Sequence, residues 1–272
     1  MSILQYRFRS RILKMNTAIT VTIPEPSDHK TPPERTLDEI YHGKKYPTIY
    51  LCHGGGGDNT LWTRNTRVEM YGNEKRVMTV SMDLEESFCC DMKCGRKYFT
   101  YVTEELPRLV QALFPSSPAR EDNFVAGFSM GAHCAMKIAL RCPEKFAGVW
   151  AMSGAKDQVK MDQLARKQGI MASNDLIEAA FGPMDEVRGG ENDLPALAKS
   201  LTESDRPRPA IFHSCGRQDY GLELCQEFAD YLTELGLENQ FFTPDGIHDW
   251  YYADRMIHKA IFEGLPIREI DY

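Results

Sequence analysis

Near the start of the chain, apolar and polar positions alternate twice, as LQYRFRSR at 4–11 and KMNTAITVTI at 14–23. A period of two marks a half-buried strand, so this segment predicts two antiparallel strands joined by a tight connection. Residues 24–46 are rich in Pro, charge and turn formers and read as a loop. At 48–52 the pattern changes to a continuous apolar run, TIYLC, which suits a strand covered on both faces. Strands and helices alternate from there. The pattern predicts strands at 76–82, 123–126, 147–152, 210–214 and 240–243. It predicts helices at 98–114, 130–141, 222–235 and 250–263, with Pro115 and Pro143 closing the first two. Such alternation implies an α/β fold: a doubly wound, mostly parallel sheet with antiparallel N-terminal edge strands.

One stretch breaks the rhythm. Residues 154–208 are far longer than the dozen or so residues that a parallel crossover needs. They hold two predicted helices, at 161–167 and 174–181, and a polar run, MDEVRGGENDLP. We read them as an insertion, a lid or pocket wall, within a single domain spanning 1–272. Met161, Met171, Phe181 and Met184 are candidate wall residues, although their helical spacing favours an ordinary core.

Composition narrows the classes. The chain has 272 residues, and its 32 Lys and Arg against 39 Asp and Glu give a formal charge of −7. That balance, with no clustered basic patch, argues against a nucleic-acid partner. The densest basic run, RFRSRILK at 7–14, alternates with apolar residues and reads as an exposed strand face. No run is long enough to span a membrane and no signal-peptide core is visible, so a cytoplasmic location is expected. The eight cysteines are expected to be reduced. Cys89, Cys90 and Cys94 lack the paired spacing of a zinc site, so no metal is expected.

The sharpest chemical signal is GFSMG at 127–131, which follows the predicted strand NFVA and opens the helix AHCAMKIAL. That is the setting of a nucleophile elbow, whose flanking glycines avoid a clash with neighbouring backbone while the Ser129 hydroxyl stands above the sheet. A serine hydroxyl needs a base and a group to orient that base, and in this fold they follow in the order Ser, Asp or Glu, His. Of the seven histidines, His29 and His42 fall in the early polar loop and His53 precedes the serine. His133, His213 and His258 fall inside predicted helices or a strand. His248, in PDGIHDW, follows the last strand and is the expected base. Asp219, in CGRQD, lies one strand earlier and is the expected acid, its alternative role being a helix cap. Asp245 and Asp249 sit so close to His248 that local turns or caps suit them better.

A tetrahedral intermediate also needs oxyanion donors. HGGGGDN at 53–59 follows the strand TIYLC and lacks the Lys-Ser or Lys-Thr ending of a phosphate-binding loop. The amides of Met130 and Gly55 are therefore the expected oxyanion hole.

Five separated motifs, HGGGGDNTLW, SFCCDMKCGRKYFTYVTEELP, GFSMGAHCAMKIAL, CGRQD and IHDW, occur here in the order found in a known group. The chain resembles the tributyrin esterase and acetyl esterase branch of the esterase D group. That group lies within the α/β-hydrolase superfamily and is similar to feruloyl and acetyl xylan esterases, and the likeness runs from about residue 5 to 265. It implies hydrolysis of short-chain acyl esters without a cofactor by Ser129, Asp219 and His248, with Trp62 lining the pocket. Relatives often carry Tyr where this chain has Cys89, and Gly where it has Ala132, so Cys89 is a second expected pocket residue.

The expected function is a serine carboxylesterase, and the expected partner is a small-molecule ester, of acetyl type, with carbohydrate among the admissible alcohols. Neither nucleic acid nor membrane is expected, and a homo-oligomer is admitted. A thioesterase such as S-formylglutathione hydrolase, or an acyltransferase, uses the same chemistry. A non-catalytic α/β-hydrolase binding protein is the distant alternative.

Overall fold

The computed structural model describes residues 1–25, 36, 43–168 and 174–270. His29, His42, Met171 and most of the expected 24–46 loop lie outside them. Eight strands form one sheet: β1 (Ser2–Arg9), β2 (Asn16–Ile23), β3 (Thr48–Cys52), β4 (Met78–Met82), β5 (Asn123–Phe128), β6 (Gly148–Met152), β7 (Ala210–Ser214) and β8 (Asn239–Phe242). Their order across the sheet is β1-β2-β4-β3-β5-β6-β7-β8. The β1–β2 and β2–β4 pairs are antiparallel and every other pair is parallel. The expected doubly wound architecture with an antiparallel N-terminal edge is therefore present.

The helices are α1 (Leu61–Asn65), α2 (Val68–Lys75), α3 (Tyr98–Thr100), α4 (Leu106–Leu113), α5 (Met130–Arg141), α6 (Gln158–Gln168), α7 (Asn174–Phe181), α8 (Leu194–Thr202), α9 (Leu222–Glu234) and α10 (Trp250–Lys259). A π-helical turn, Tyr101–Glu105, joins α3 to α4, and a second one, Ala260–Gly264, continues α10. Among the described residues, no helix is long and apolar enough to cross a membrane.

The continuous apolar runs of the central strands follow from burial on both faces. Along β3, Tyr50 and Cys52 enter one core cluster while Ile49 and Leu51 enter the other. The same alternation sends Val125 of β5 to the first cluster and Phe124, Ala126 and Phe128 to the second. The chain runs from β3 to β4 on one side, then crosses back to β5 on the other side of β3. The carboxyl ends of β3 and β5 thus flank the point where strand order reverses, the place where open α/β sheets form their ligand crevice.

The long 154–208 stretch divides into two parts. Leu194, Ala198 and Leu201 of α8 belong to the main core cluster, so α8 is an ordinary crossover helix leading into β7. The helices α6 and α7 instead feed a separate small cluster through Val159, Ile177, Ala180 and Phe181, which also takes in Cys90, Met184 and Val187.

His213 of β7 carries a pH-dependent share of the stability. Burial beside Phe228 and Phe241 holds its imidazole down at about 4 against an ordinary 6.5, although a 2.9 Å bond from Nε2 to Asn239 Oδ1 favours the proton. As pH falls below 6.5, the unfolded chain takes up a proton that the folded chain refuses until about 4. Stability therefore drops across that window, by about 3 kcal/mol for this group at 1.36 kcal/mol per pH unit. Urea unfolding at pH 7 and pH 4 should show a loss that is about 3 kcal/mol smaller in His213→Phe than in the wild type.

Candidate active site

The sheet's carboxyl ends assemble the site. Ser129 follows β5 directly, with φ +59° and ψ −121°, a left-handed backbone that costs a non-glycine residue of order 1–3 kcal/mol. The turn closes only because its neighbours lack side chains. A Cβ on Gly127 would stand 2.0 Å from the Gly131 carbonyl oxygen, and one on Gly131 would stand 2.2 Å from the Cys52 carbonyl oxygen. Gly154, after β6, matters equally: its Cβ would stand 1.9 Å from the Ser129 carbonyl oxygen. The Ser129 amide donates to Met152 O at 2.9 Å, which pins the elbow to the end of β6.

The three residues expected from chain order meet. Ser129 Oγ lies 2.8 Å from His248 Nε2, and His248 Nδ1 lies 2.8 Å from Asp219 Oδ2. A carboxylate can only accept, so Nδ1 carries the ring proton and Nε2 is left to accept from the serine hydroxyl. Burial pushes the Asp219 carboxyl up, but bonds from His248 and from the Gly221 amide outweigh it and hold the group below the usual aspartate value. Asp219 binds the base through Oδ2 and a local turn through Oδ1; it does not cap α9, whose N-cap is Gly221. Asp249 caps α10 by accepting the Tyr252 amide, and Asp245 pairs with Arg217 at 3.3 Å. The His248 ring also packs at a tilt against Phe128, with ring centres 4.8 Å apart, and against Tyr220, 4.9 Å apart, so these contacts support the orientation that Asp219 sets.

The glycine loop after β3 lies against the serine: a Cβ on Gly54 would touch Ser129 Cβ at 3.4 Å. His53 is fully buried beneath it. Its Nε2 accepts the Leu84 amide at 3.0 Å, which leaves Nδ1 to donate to Gly54 O at 2.7 Å. Burial also lowers the His53 pKa and keeps the ring neutral. From the other side, the Glu86 carboxylate accepts the Gly56 amide. His53 thus acts as a strut for the loop that carries the Gly55 amide. Its sequence signal was the strand end it occupies, immediately before four glycines.

Gly55, Phe88, Ser129, Met130, His133 and Tyr220 line one cavity of about 200 Å³. Lys156 lines it too, its ammonium 5.5 Å over the Tyr220 ring, and α6 and α7 contribute Met161 and Ile177. Met161 is thus in the wall, whereas Phe181 and Met184 pack as core in the small cluster behind it.

Two expected pocket residues lie elsewhere. Trp62 is fully buried in the second core cluster, its indole N–H donating to Cys52 O at 3.1 Å. Its ring packs edge-on against Trp250, which packs against Phe128, so it backs the wall that supports His248. Cys89 is fully buried in the main core, and its predecessor Phe88 faces the cavity instead. Both occupy left-handed backbone, at φ +49° and +51°, a local turn that apolar spacing does not reveal. None of the eight cysteines is paired, and among the described residues no three His, Cys, Asp or Glu side chains converge as a metal site.

His133 was set aside as a mid-helix residue, yet it lies in the cavity wall with neither ring nitrogen bonded among the described residues. Burial and the nearby Lys137 and Lys156 cations drive its pKa well down. Burying a polar group unsatisfied costs about 1–3 kcal/mol.

A serine, histidine and aspartate in hydrogen-bonded series, at the carboxyl ends of a doubly wound sheet, define a serine hydrolase of the α/β-hydrolase class. The Esterase family model matches residues 13–257, and the chain belongs to that family. An acetyl esterase of Caldicellulosiruptor saccharolyticus is 26% identical over 262 residues, which are 96% of this chain and 97% of that protein. Among solved structures, the substrate-bound Staphylococcus aureus fluorophosphonate-binding serine hydrolase FphF matches with TM-score 0.82 at 30% identity, covering 96% of each chain. The S-formylglutathione hydrolase FrmB of Staphylococcus aureus, an apoenzyme, matches with TM-score 0.80 at 30% identity, covering 96% of this chain and 97% of that one.

The strut role of His53 is testable. His53→Leu leaves the Leu84 amide without its acceptor and the Gly54 carbonyl without its donor. Steady-state kinetics on p-nitrophenyl acetate should show kcat reduced by about 10²-fold, the scale of losing one oxyanion donor, with KM little changed.

Proposed function

We propose that the protein is a serine carboxylesterase that hydrolyses short acyl esters through an acyl-enzyme on Ser129. The observation that carries this reading is the relay from Ser129 Oγ through His248 to Asp219, with both contacts at 2.8 Å. Likeness to an acetyl esterase along nearly the whole chain and the small cavity volume support the short acyl group.

His248 Nε2 takes the hydroxyl proton as Ser129 Oγ bonds to the ester carbonyl carbon. The carbonyl oxygen takes up the electron pair and is stabilised by the Met130 and Gly55 amides. Met130 opens α5, where backbone N–H groups have no partner within the helix and the helix dipole favours negative charge. The tetrahedral species collapses by breaking the bond to the leaving oxygen, which receives the proton from His248. Water then repeats the sequence, with His248 as base, and releases the acid and the serine. Every proton in this cycle is carried by the named residues or by water.

A thioester is the second reading, favoured by the likeness to FrmB and by the charged groups Glu86 and Lys156 in the cavity wall. Thioester and oxygen ester turnover, measured side by side with the same acyl group, separates the two. We further place the enzyme in the cytoplasm, a reading that the eight unpaired thiols support.

Ser129→Ala should reduce turnover of p-nitrophenyl acetate to the background rate, and full activity in that variant would refute the assignment. Asp219→Asn lets His248 adopt the wrong tautomer and should lower kcat by about 10⁴-fold, with the substrate still bound.

A further inference from the structure

The cavity has two sides, and the direction of proton transfer tells them apart. His248 returns its proton to the leaving group, so the leaving group lies on the His248 side, beside Tyr220 and Lys156. The acyl group then points along α5. His133 follows Ser129 by four residues, its amide 3.4 Å from the Ser129 carbonyl oxygen, and both residues line the cavity. A short acyl chain bonded to Ser129 Oγ and running along this wall meets the imidazole.

Among the described residues, no polar group bonds the His133 ring. Its ring meets the Phe88 ring at 5.9 Å and the Phe181 ring at 5.7 Å, both nearly perpendicular. The neighbouring Lys137 is already committed, its ammonium 3.1 Å from Cys90 Sγ and 3.0 Å from Asn192 Oδ1. His133 is 1% exposed, and Nδ1 and Nε2 both lack a partner among the described residues. Buried side-chain nitrogens are seldom left so, and the cavity that His133 lines offers room for a partner. A phenylalanine or methionine would fill the same apolar surroundings without that deficit.

We propose that this cavity is a subsite for acyl groups bearing an uncharged oxygen, a hydroxyl or keto group, at the third carbon, which His133 recognises by a hydrogen bond. The proposal rests on the esterase reading above and names its substrate class. Neutral imidazole offers one donor and one acceptor, which matches a hydroxyl in either direction and a keto oxygen through its N–H.

The test compares kcat/KM for p-nitrophenyl esters of 3-hydroxybutanoate and of 3-methylbutanoate, in which a methyl of similar size replaces the hydroxyl, with the acetate ester as reference. The wild type should prefer the hydroxy ester by about tenfold or more, since a site built to bond an oxygen discriminates against the analogue lacking it. In His133→Phe, and in His133→Met should the first variant fail to fold, that ratio should fall to about one. His133→Gln, which keeps a donor and an acceptor, should restore part of it. A wild-type ratio near one with the acetate ester turned over, or a preference that survives in His133→Phe or His133→Met, overturns the subsite and leaves the esterase reading intact. Failure of the wild type to hydrolyse all three esters defeats the esterase reading, and the subsite with it.

Discussion

The structure depends on one backbone constraint: Ser129 sits at φ +59° between a buried strand and a buried helix. No bond to the serine side chain creates that conformation. It is held because the Ser129 amide is bonded to β6 and because Gly127, Gly131 and Gly154 let three backbone segments approach to distances that no Cβ would survive. The strain is stored where β3, β5 and β6 end side by side, so the hydroxyl is presented at the reversal point of the sheet. Asp219 and His248 follow the ends of β7 and β8, and the parallel register of these strands delivers them to the same rim.

Around that point the site is supported in layers that the triad alone does not suggest. Trp62 backs Trp250, Trp250 backs Phe128, and Phe128 together with Tyr220 packs against His248. His53 and Glu86 hold the glycine loop from opposite sides. The net charge of −7 carries no information about this cavity, whose wall holds one carboxylate and one ammonium.

The legible parts of the fold are those where burial imposes a pattern. The strands TIYLC and AIFHS and the helix of 130–141 begin and end where the apolar runs place them. The helices α1 and α2 were not legible, since LWTRN is a single short turn and VEMYGNEK mixes a central glycine with charge and has no apolar stripe. The α8 helix hid behind the polar run MDEVRGGENDLP, so the 154–208 stretch read as all insertion when its last helix is a core crossover. The triad was legible because topology fixes its order along the chain. Trp62 and Cys89 were assigned to the pocket by resemblance to a family, and the direction of a side chain follows from local backbone that such a resemblance does not encode. His133 shows the converse: a histidine in an apolar helical pattern reads as core until the cavity beside it is seen.

The central claim, that Ser129 is the atom on which the acyl group is transferred, is tested most directly by trapping the intermediate. Rapid mixing of the enzyme with p-nitrophenyl acetate, acid quenching and peptide mass spectrometry should find one acetyl group on the peptide carrying Ser129, formed in a burst and lost as turnover ends. An acetyl group on a different residue, or turnover with Ser129 never modified, would contradict it.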